Sequence, residues 1–574
     1  MTRALVAAAL CALALAPGAA AAERARLTEE QATASFLRQG KVADWLDRYP
    51  VRGRVRDAEY DADSGAWTVH VWWKEAGEIA TGKVDDASGR VTEAWTGPQV
   101  AWKMARGSKG AFGGKSINRV DVWLALCGVF LLGLVDWRRP LSLRTLDLLA
   151  LLSFSVPLWL FNDGNVFASM ALVYPPLAYL LARMAWVGLR GRSPSTRAAV
   201  WPVWVLVAAT VFLAGFRIGL NLEDSNVIDV GYAGVIGAHR IANGEMPYGH
   251  MPAQGNLRSC GEADAEGEVR ERIQTNGRCE SSNERGDTYG PVSYTAYLPG
   301  FWLLGWTGKW DTLPAAHFTS IAADLLVLLG LVLVGRRFGG LRLAVVLPFA
   351  WAAYPFTQYV SSSNTNDALP ALLLVWGFWL ASSHFARGAF GALAGWTKFG
   401  PLLLAPLWAG YPDGFRRPRG PALFGAGFLV ATLASFWVLL LEPDPLHAAR
   451  VFWDRTLGWQ LTRESPFSIW DWGQYHAAGI PDLSLVQRPL IALVLAGALA
   501  VAFWPRTKSP LQLAALTGAV LIGFQLVLTH WFFLYIPWFF PFVAFAVLTP
   551  SGRRPHEQEA VEAERPVPEL VAAG

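Results

Sequence analysis

Three ionisable residues stand where long apolar runs break or end. Asp229 directly follows such a run in VIDVGYAGVIGAHRIANGEMPYG (227–249), Lys398 interrupts GWTKFGP, and His530 begins HWFFLYIPWFFPF. An ionisable side chain beside hydrocarbon is costly, so each is a candidate functional residue. A carboxylate can accept a proton from a hydroxyl, and cations can bind a phosphate, so the three types together indicate transfer of a group from an anionic leaving group.

The composition is that of a polytopic membrane protein. The chain has 574 residues, 53% hydrophobic and 16% charged, against about 25% charged in a soluble protein. Apolar blocks of roughly 20 residues alternate with Arg-rich segments. The net charge of +4 is explained by membrane loops and predicts no nucleic-acid partner. No phosphate-binding loop, His-Glu-x-x-His or Cys-x-x-Cys motif is present, so neither a cofactor nor a metal is predicted.

The N-terminal region precedes the first predicted span. Residues 1–22, MTRALVAAALCALALAPGAAAA, predict a signal peptide cleaved before Glu23; an uncleaved anchor is the alternative. Residues 23–118 then predict a small extracytoplasmic α+β domain, which weakly resembles a PepSY module. FLRQGKVADWLDRYP is typical of a helix, GAWTVHVWW of a strand, and TGKVDDASGRVTEAWTG of a hairpin.

Basic clusters set the topology of the remaining chain. Placing DWRRPLSLR, LRGRSPSTR, GRRFGGLR and SGRRP inside gives an all-α polytopic protein of about eleven spans. Residues 119–199 hold accessory spans, and 200–550 form a larger transmembrane domain. The outer loops are 219–313 and 442–485, and the polar tail 551–574 is predicted to be cytoplasmic and disordered.

Residues 388–410 do not fit a single crossing. Both flanks, HFARG and FRRPRG, are basic. A re-entrant hairpin broken near WTKFGP keeps both flanks inside and brings Lys398 towards the outer side. Such a break is tolerated only where protein or a water-filled cavity surrounds it.

This topology gathers distant residues at the outer boundary. Asp229, Lys398 and His530 meet there, together with Tyr289 in YGP, SSSNTND (361–367) and the Trp-rich loop at 452–476. Arg455 and Arg463 of that loop are candidate phosphate ligands. Its tryptophans could stack on sugar rings or form an interfacial belt.

The cysteines predict one disulfide. Cys260 and Cys279 both lie in the loop 219–290, which the topology places in an oxidising compartment. We therefore predict that they pair. Cys11 is removed with the signal peptide, and Cys127 lies inside an apolar span.

Several motifs together resemble the GT-C superfamily of membrane glycosyltransferases, nearest the bacterial polyprenol-phosphate-mannose-dependent mannosyltransferases. They are Asp229 with Tyr232, GEMPYG, TYGPVSYTAYLP, NTNDALPALLLVWGF, AGWTKFGPLLLAPLW and HWFFLYIPWFFPF, spread over about 200–550. The resemblance implies that Asp229 is the catalytic base, with Asp224 and Glu223 close enough to compete, and that His530 also acts. The predicted substrate-binding residues are Tyr232, Arg240, Tyr289, Asn364, Asp367, Lys398, Arg455 and Arg463.

The expected function is transfer of a sugar from a polyprenyl-phosphate donor to a glycolipid or polysaccharide acceptor, on the outer face of a bacterial cell membrane. Mannose is the family default. The 250–287 insertion and the four preceding spans depart from the family, so the acceptor is left open. A transporter or flippase is the main alternative, although no two halves of the chain look alike; another lipid-linked-substrate enzyme, such as a ligase, and a scaffold are the others.

Overall fold

The structure is a computed structural model that describes residues 25–107, 109–251, 285–308 and 313–550, with the backbone of 272–273 and 279–280. The predicted signal peptide (1–22), Cys260, the side chain of Cys279 and the tail 551–574 lie outside the described residues. The chain divides into two compact units. The first holds residues up to Arg106 together with Trp472–Asp482, and the second holds most of the remainder.

The first unit is a helix pair on an antiparallel sheet. Its helices are α1 (Glu29–Leu37), α2 (Gly40–Leu46) and α3 (Pro98–Ala101), and its strands are β1 (Arg54–Asp61), β2 (Ala66–Trp73), β3 (Glu78–Asp85) and β4 (Val91–Thr96). The strand order is β1-β2-β3-β4. Alternation in β2 buries Trp67, Val69 and Val71, because successive side chains point to opposite faces of a strand. The predicted strand and hairpin are therefore present. The predicted helix (36–50) contains α2 but only the last two residues of α1, which was not predicted.

A segment from far along the chain completes this unit. Tyr49 donates its hydroxyl to the carbonyl of Tyr475, 2.7 Å away. Arg48 donates a side-chain N–H to the carbonyl of Ala478 at 3.0 Å, and the backbone N–H of Ala478 donates to the carbonyl of Arg48 at 3.0 Å. Residues 472–482 are thus part of the first unit in space, although they belong to the predicted loop 442–485.

The second unit is helical in its described residues, apart from the short ladder of β5 (Arg272–Ile273) and β6 (Cys279–Glu280). Its first half contains α4 (Val120–Leu134), α5 (Leu143–Ser153), α6 (Ser155–Asn162), α7 (Val166–Arg190), α8 (Val203–Glu223), α9 (Asp229–Ala242), α10 (Val292–Thr295), α11 (Leu298–Leu304) and α12 (Pro314–Ala353). Its second half contains α13 (Pro355–Ser362), α14 (Ala368–Trp379), α15 (His384–Gly395), α16 (Ala405–Ala409), α17 (Arg419–Ser435), α18 (Pro445–Arg455), α19 (Leu457–Thr462), α20 (Ser484–Phe503), α21 (Pro510–Leu526) and α22 (Ile536–Leu548).

Several helices have the length and composition of membrane spans. Among the described residues, six are long and apolar enough to cross a membrane: Leu143–Asn162, Val166–Arg190, Val203–Glu223, Pro314–Ala353, Arg419–Leu441 and Ser484–Phe503. Shorter apolar helices occupy Val120–Leu134, Ala368–Trp379, Gly400–Ala409, Pro510–Leu526 and Phe533–Leu548. All of these helices lie within 119–550, the part of the chain predicted to hold the spans and the hairpin, while the count of about eleven stays a prediction.

The long helix α12 is two arms joined by a sharp bend. Gly340 has φ 72° and ψ −167°, which is not helical, and only glycine adopts such a conformation readily. Gly335 lies directly against the returning chain, since a Cβ there would be 2.5 Å from the Cα of Ala344. The two spans predicted on either side of GRRFGGLR are therefore the two arms of one hairpin.

A second hairpin carries Lys398. Its first arm is α15 and its second arm is a 3₁₀ helix (Gly400–Leu404) followed by α16. Arg387, near the start of the first arm, donates to the carbonyls of Trp408 and Tyr411 at the end of the second, each 2.7 Å away. The open ends therefore meet, and Lys398 lies at the opposite tip. The chain folds back as the two basic flanks predict.

Candidate active site

The segment before Asp229 is fixed to the segment 361–364. The backbone N–H of Asn226 donates to the carbonyl of Ser362 at 3.0 Å, and that of Ile228 donates to the carbonyl of Ser363 at 3.4 Å. Gly231 lies so close to the carbonyl of Asn364 that any side chain there would collide with it. The first turn of α9 is therefore held against SSSNTND.

Asp229 is the first residue of α9, and its carboxylate is partly exposed. Its Oδ1 accepts the backbone N–H of Val230 at 2.9 Å. A negative charge is favoured at this end of a helix by the unpaired N–H groups and the helix dipole. Asp224 instead accepts the backbone N–H of Ser116 at 2.6 Å, and Glu223 is exposed at the end of α8. Of the three acidic residues, Asp229 has the position of a usable base.

Lys398 and Asp367 form a buried ion pair. The Lys398 Nζ is 3.1 Å from Asp367 Oδ1, and the two side chains are 6% and 1% exposed. Asp367 Oδ2 accepts the hydroxyl of Thr365 at 2.9 Å. A buried charge requires such compensation, so Asp367 allows the ammonium group to remain at the hairpin tip.

Three aromatic rings surround the same ammonium group. The Lys398 Nζ is 4.0 Å from the ring centre of Tyr289, 5.6 Å from that of Tyr535 and 5.9 Å from that of Trp538. Rings at these distances attract a cation through their quadrupole. They also exclude water, which strengthens electrostatic interactions at the site.

The hairpin tip positions Tyr289. The backbone of Gly290 lies against the carbonyl of Trp396 so closely that no Cβ could be accommodated. The backbone N–H of Val292 donates to that carbonyl at 3.1 Å, and the Ser293 hydroxyl donates to the carbonyl of Thr397 at 2.8 Å. The TYGP segment and the tip therefore form one structure.

Asp287 ties three segments together behind Tyr289. Its side chain is fully buried and pairs with Arg455, whose Nη2 is 2.6 Å from Asp287 Oδ1. Asp287 Oδ2 also accepts the backbone N–H of Gly249 at 2.6 Å. GEMPYG, TYGP and the end of α18 are thus joined at one carboxylate.

His530 lies against residues of the predicted loop 442–485. Its Nδ1 is 2.8 Å from the Ser465 hydroxyl, and its ring packs edge-on against Phe467 with centroids 5.4 Å apart. Burial first, and then the positive charges of Arg463 and Lys398, hold the pKa of His530 well below its usual range. The imidazole is therefore neutral at ordinary pH.

Electrostatics place these groups around Tyr289. Burial raises the pKa of the Tyr289 phenol well above its ordinary range. The neighbouring Tyr535, Asp229 and Asp367 raise the same pKa further, whereas Arg463 lowers it. Lys398 likewise interacts electrostatically with Asp367, Asp229 and Arg463, and His530 with Arg463 and Lys398. Lys398 and Asp367 are buried, whereas Asp229, Tyr289, Arg463, His530 and Tyr535 are partly exposed.

Four residues predicted to bind substrate have other surroundings. Tyr232 is buried in an apolar cluster and packs on Trp306 with ring centroids 6.0 Å apart. Arg240 donates to the carbonyl of Met246 at 2.9 Å, three helical turns and about 16 Å from Asp229 along α9. Asn364 is fully buried and bonded within the protein, and Arg455 pairs with Asp287 as described.

Tyr535, Trp538, Asp287 and Ser465 were not among the predicted residues. Tyr535 and Trp538 belong to HWFFLYIPWFFPF, the run that identified His530, but its many aromatic residues gave no reason to single out two. Asp287 directly precedes the TYGP segment and could have been found there as an acidic residue within an outer loop. For Ser465 the sequence carries no distinguishing signal.

The arrangement has the parts for phosphate binding and proton transfer. A partly exposed carboxylate, a second cation and a neutral imidazole (Asp229, Arg463 and His530) each lie within electrostatic reach of Lys398. Across the described ranges, no group of three or more His, Cys, Asp or Glu side chains is placed to hold a metal ion.

No protein-family profile matches the chain, and no curated protein is significantly similar. Among solved structures, the crystal structure of ArnT from Cupriavidus metallidurans bound to undecaprenyl phosphate is similar, with a TM-score of 0.39 and 16% sequence identity. The alignment covers 60% of this chain and 59% of ArnT, so the chain spans less than two thirds of that protein. Likeness of this degree supports no statement about activity.

Proposed function

We propose that this protein is an integral membrane glycosyltransferase of the GT-C type, which transfers a sugar from a polyprenyl-phosphate donor to a hydroxyl of a glycolipid or polysaccharide. One observation carries the proposal. Asp229, a partly exposed carboxylate at a helix start, interacts electrostatically with Lys398, as do Arg463 and a neutral His530.

In the proposed reaction, Asp229 is the general base. The acceptor hydroxyl attacks the anomeric carbon, and Asp229 takes its proton. A new carbon–oxygen bond forms to the acceptor as the bond between the anomeric carbon and the phosphate oxygen breaks. The electron pair of that bond leaves with the lipid phosphate. General base help of this kind contributes about 10²–10⁴-fold.

The two cations receive the departing phosphate. Lys398 has three N–H donors and a single carboxylate contact at 3.1 Å from Asp367. Arg463 interacts electrostatically with Lys398 from the outer loop. Charge-assisted hydrogen bonds in a recess screened from water are strong, so these side chains stabilise negative charge as it develops on the phosphate.

His530 serves the sugar in this proposal. Its Nδ1 contacts Ser465 at 2.8 Å, which fixes the orientation of the ring. Because the ring stays neutral, it hydrogen-bonds a sugar hydroxyl without adding charge. Tyr289 and Tyr535 lie beside the Lys398 ammonium group.

The finer parts of the proposal rest on the resemblance and on the charge-derived topology. Mannose is the proposed donor sugar, and the reaction is placed on the outer face of a bacterial cell membrane. Signal-peptide cleavage before Glu23 and a Cys260–Cys279 disulfide are part of the same proposal. We expect thiol labelling of unreduced protein to leave both cysteines unmodified.

The experiment is transfer of label by the purified, lipid-reconstituted protein. Radiolabelled polyprenyl-phosphate sugars are supplied one at a time with membrane extract, for wild type, Asp229→Asn and Asp224→Asn. We expect Asp229→Asn to lose about 10²-fold or more. Asp224→Asn is the matched control, because Asn still accepts the N–H of Ser116.

The contrary outcomes are distinct. If Asp224→Asn is inactive and Asp229→Asn is near wild type, the base is Asp224. If wild type moves labelled lipid across the bilayer without transferring label to an acceptor, the transporter or flippase alternative replaces the glycosyltransferase.

A further inference from the structure

A buried polar network lies directly beneath the segment that leads to Asp229. Asn221, near the end of α8, is fully buried. Its Nδ2 donates to the carbonyl of Ser361 at 2.6 Å and to Asn364 Oδ1 at 2.8 Å. Its Oδ1 contacts His317 Nδ1 at 2.9 Å. One amide thus links helix α8, helix α12 and SSSNTND.

Asn364 continues the network to the site. Its Nδ2 donates to the Ser225 hydroxyl at 2.9 Å and to the carbonyl of Asn226 at 3.2 Å. Its φ is +51°, a left-handed conformation that asparagine tolerates better than most residues. Because residues 225–228 run straight into Asp229, these bonds fix the start of α9.

Arg217 anchors the other end, one helical turn before Asn221. Its guanidinium donates to both oxygens of Asp324, at 2.8 and 2.5 Å, and to the Thr357 hydroxyl at 3.2 Å. Trp351 Nε1 donates to Asp324 Oδ1 at 2.7 Å. These side chains are buried, so the network has a rigid base among apolar helices.

We propose that Asn221 and Asn364 are positioning residues for Asp229, with the Arg217–Asp324 pair as their anchor; the inference rests on the proposed function. The network sets where the carboxylate stands relative to Lys398. Two independent contacts meet at residue 364. The Asn364 side chain holds residues 225 and 226, and the Asn364 carbonyl lies directly against Gly231 in the first turn of α9.

The test separates positioning from general stability. Asn364→Gly keeps the left-handed backbone accessible and removes all side-chain bonds. We expect turnover to fall about tenfold or more, since displacement of a catalytic group by about 1 Å can cost about 10²-fold. The donor KM should change little, because Lys398 and Arg463 are untouched. In an Asp229→Asn background, Asn364→Gly should cause no further loss.

Asn243→Gly is the matched control, at the opposite end of α9 from Asp229. We expect it to retain wild-type turnover. Ser225→Ala is the second variant, in case Asn364→Gly does not fold. It removes one acceptor of Asn364, and its smaller loss of turnover should also vanish in the Asp229→Asn background.

Two results would overturn the inference. One is a loss of turnover from Asn364→Gly that is as large in the Asp229→Asn background as in wild type. That result would show that the network acts independently of the carboxylate. The other is a raised donor KM at unchanged turnover. If Asp229→Asn itself keeps wild-type turnover, the proposed function fails instead. Asp229→Asn is therefore assayed before any variant of the network.

Discussion

Two buried ion pairs in the helical unit have opposite surroundings. The Arg217–Asp324 pair has two hydrogen bonds between its members and further bonds to Trp351 and Thr357. Among the described residues, the Lys398–Asp367 pair has one contact of 3.1 Å, and the ammonium group also lies near aromatic rings.

The difference indicates different roles for similar charges. A pair whose hydrogen-bonding groups are occupied has no capacity left for a ligand, and contributes a defined arrangement of helices. An ammonium group has three donors, so one carboxylate contact leaves capacity for a phosphate. Both pairs are buried, but partly exposed residues, Tyr289 and Tyr535, lie beside Lys398. We therefore assign the first pair to the framework, and the proposed function assigns the second pair to the reaction.

The largest expected effect breaks the framework pair. Arg217→Met leaves Asp324 buried without its cation, and loss of one partner costs about 3–5 kcal/mol of unfolding free energy. We expect a correspondingly lower thermal midpoint of the lipid-reconstituted protein. Replacing both members, Arg217→Met with Asp324→Leu, should recover most of that loss. A double variant as unstable as the single one would show that the pair stabilises the fold beyond mutual compensation.

The second prediction breaks the reactive pair. Lys398→Met removes a cation proposed to meet the departing phosphate, and loss of one such group typically costs about 10²-fold in turnover. The measurement is label transfer at saturating donor, with the thermal midpoint as the check on folding. Asp367 loses its counter-charge, so Lys398→Met with Asp367→Asn is the paired variant that restores neutrality. Turnover restored by this second change would contradict a role for the Lys398 charge.

The sequence located candidate catalytic residues but not the side chains that contact them. Two basic flanks were enough to predict the hairpin that carries Lys398, because charge placement follows the membrane. Asp229 and His530 were found because charge beside an apolar run is unusual. The direction of a polar side chain is set by tertiary contacts, which the sequence does not show. Asn364 and Arg455 were predicted to bind substrate, but in the structure their side chains bond within the protein.

Distance along α9 explains why Arg240, which was predicted to bind substrate, lies away from Asp229. Arg240 lies eleven residues after Asp229, close to the same face of α9, yet about 16 Å along the axis. The motif GEMPYG begins four residues after Arg240. It contacts the rest of the site through Asp287 rather than through that arginine. The residue that links GEMPYG to the site was therefore shown by spatial contact and not by closeness in sequence.

The third prediction sharpens the role of the rings around Lys398. Tyr289→Leu removes the aromatic face 4.0 Å from the ammonium group, whereas Tyr289→Phe keeps it. A cation–π contact contributes about 0.5–2 kcal/mol, so we expect turnover to fall about 2- to 30-fold in the leucine variant and to stay near wild type in the phenylalanine variant. Equal losses in the two variants would assign the effect to the phenol hydroxyl instead.

The smallest expected effect concerns His530 and pH. The pKa of His530 is held well below its usual range by burial and by Arg463 and Lys398. As the pH falls through about 6.5, the unfolded chain binds a proton at this residue and the folded protein does not. Stability therefore falls with decreasing pH below that value, down to the folded-state pKa, and is fully present above it.

The measurement is the thermal midpoint between about pH 5 and 8, where an ordinary histidine changes its charge. His530→Gln should flatten the decline at the acid end, because glutamine does not titrate. His447→Gln is the matched control, since His447 is exposed in α18, and should leave the decline unchanged. A decline equally steep in His530→Gln and wild type would mean that His530 is not held neutral at the site, and it would remove the basis for a neutral imidazole beside the sugar.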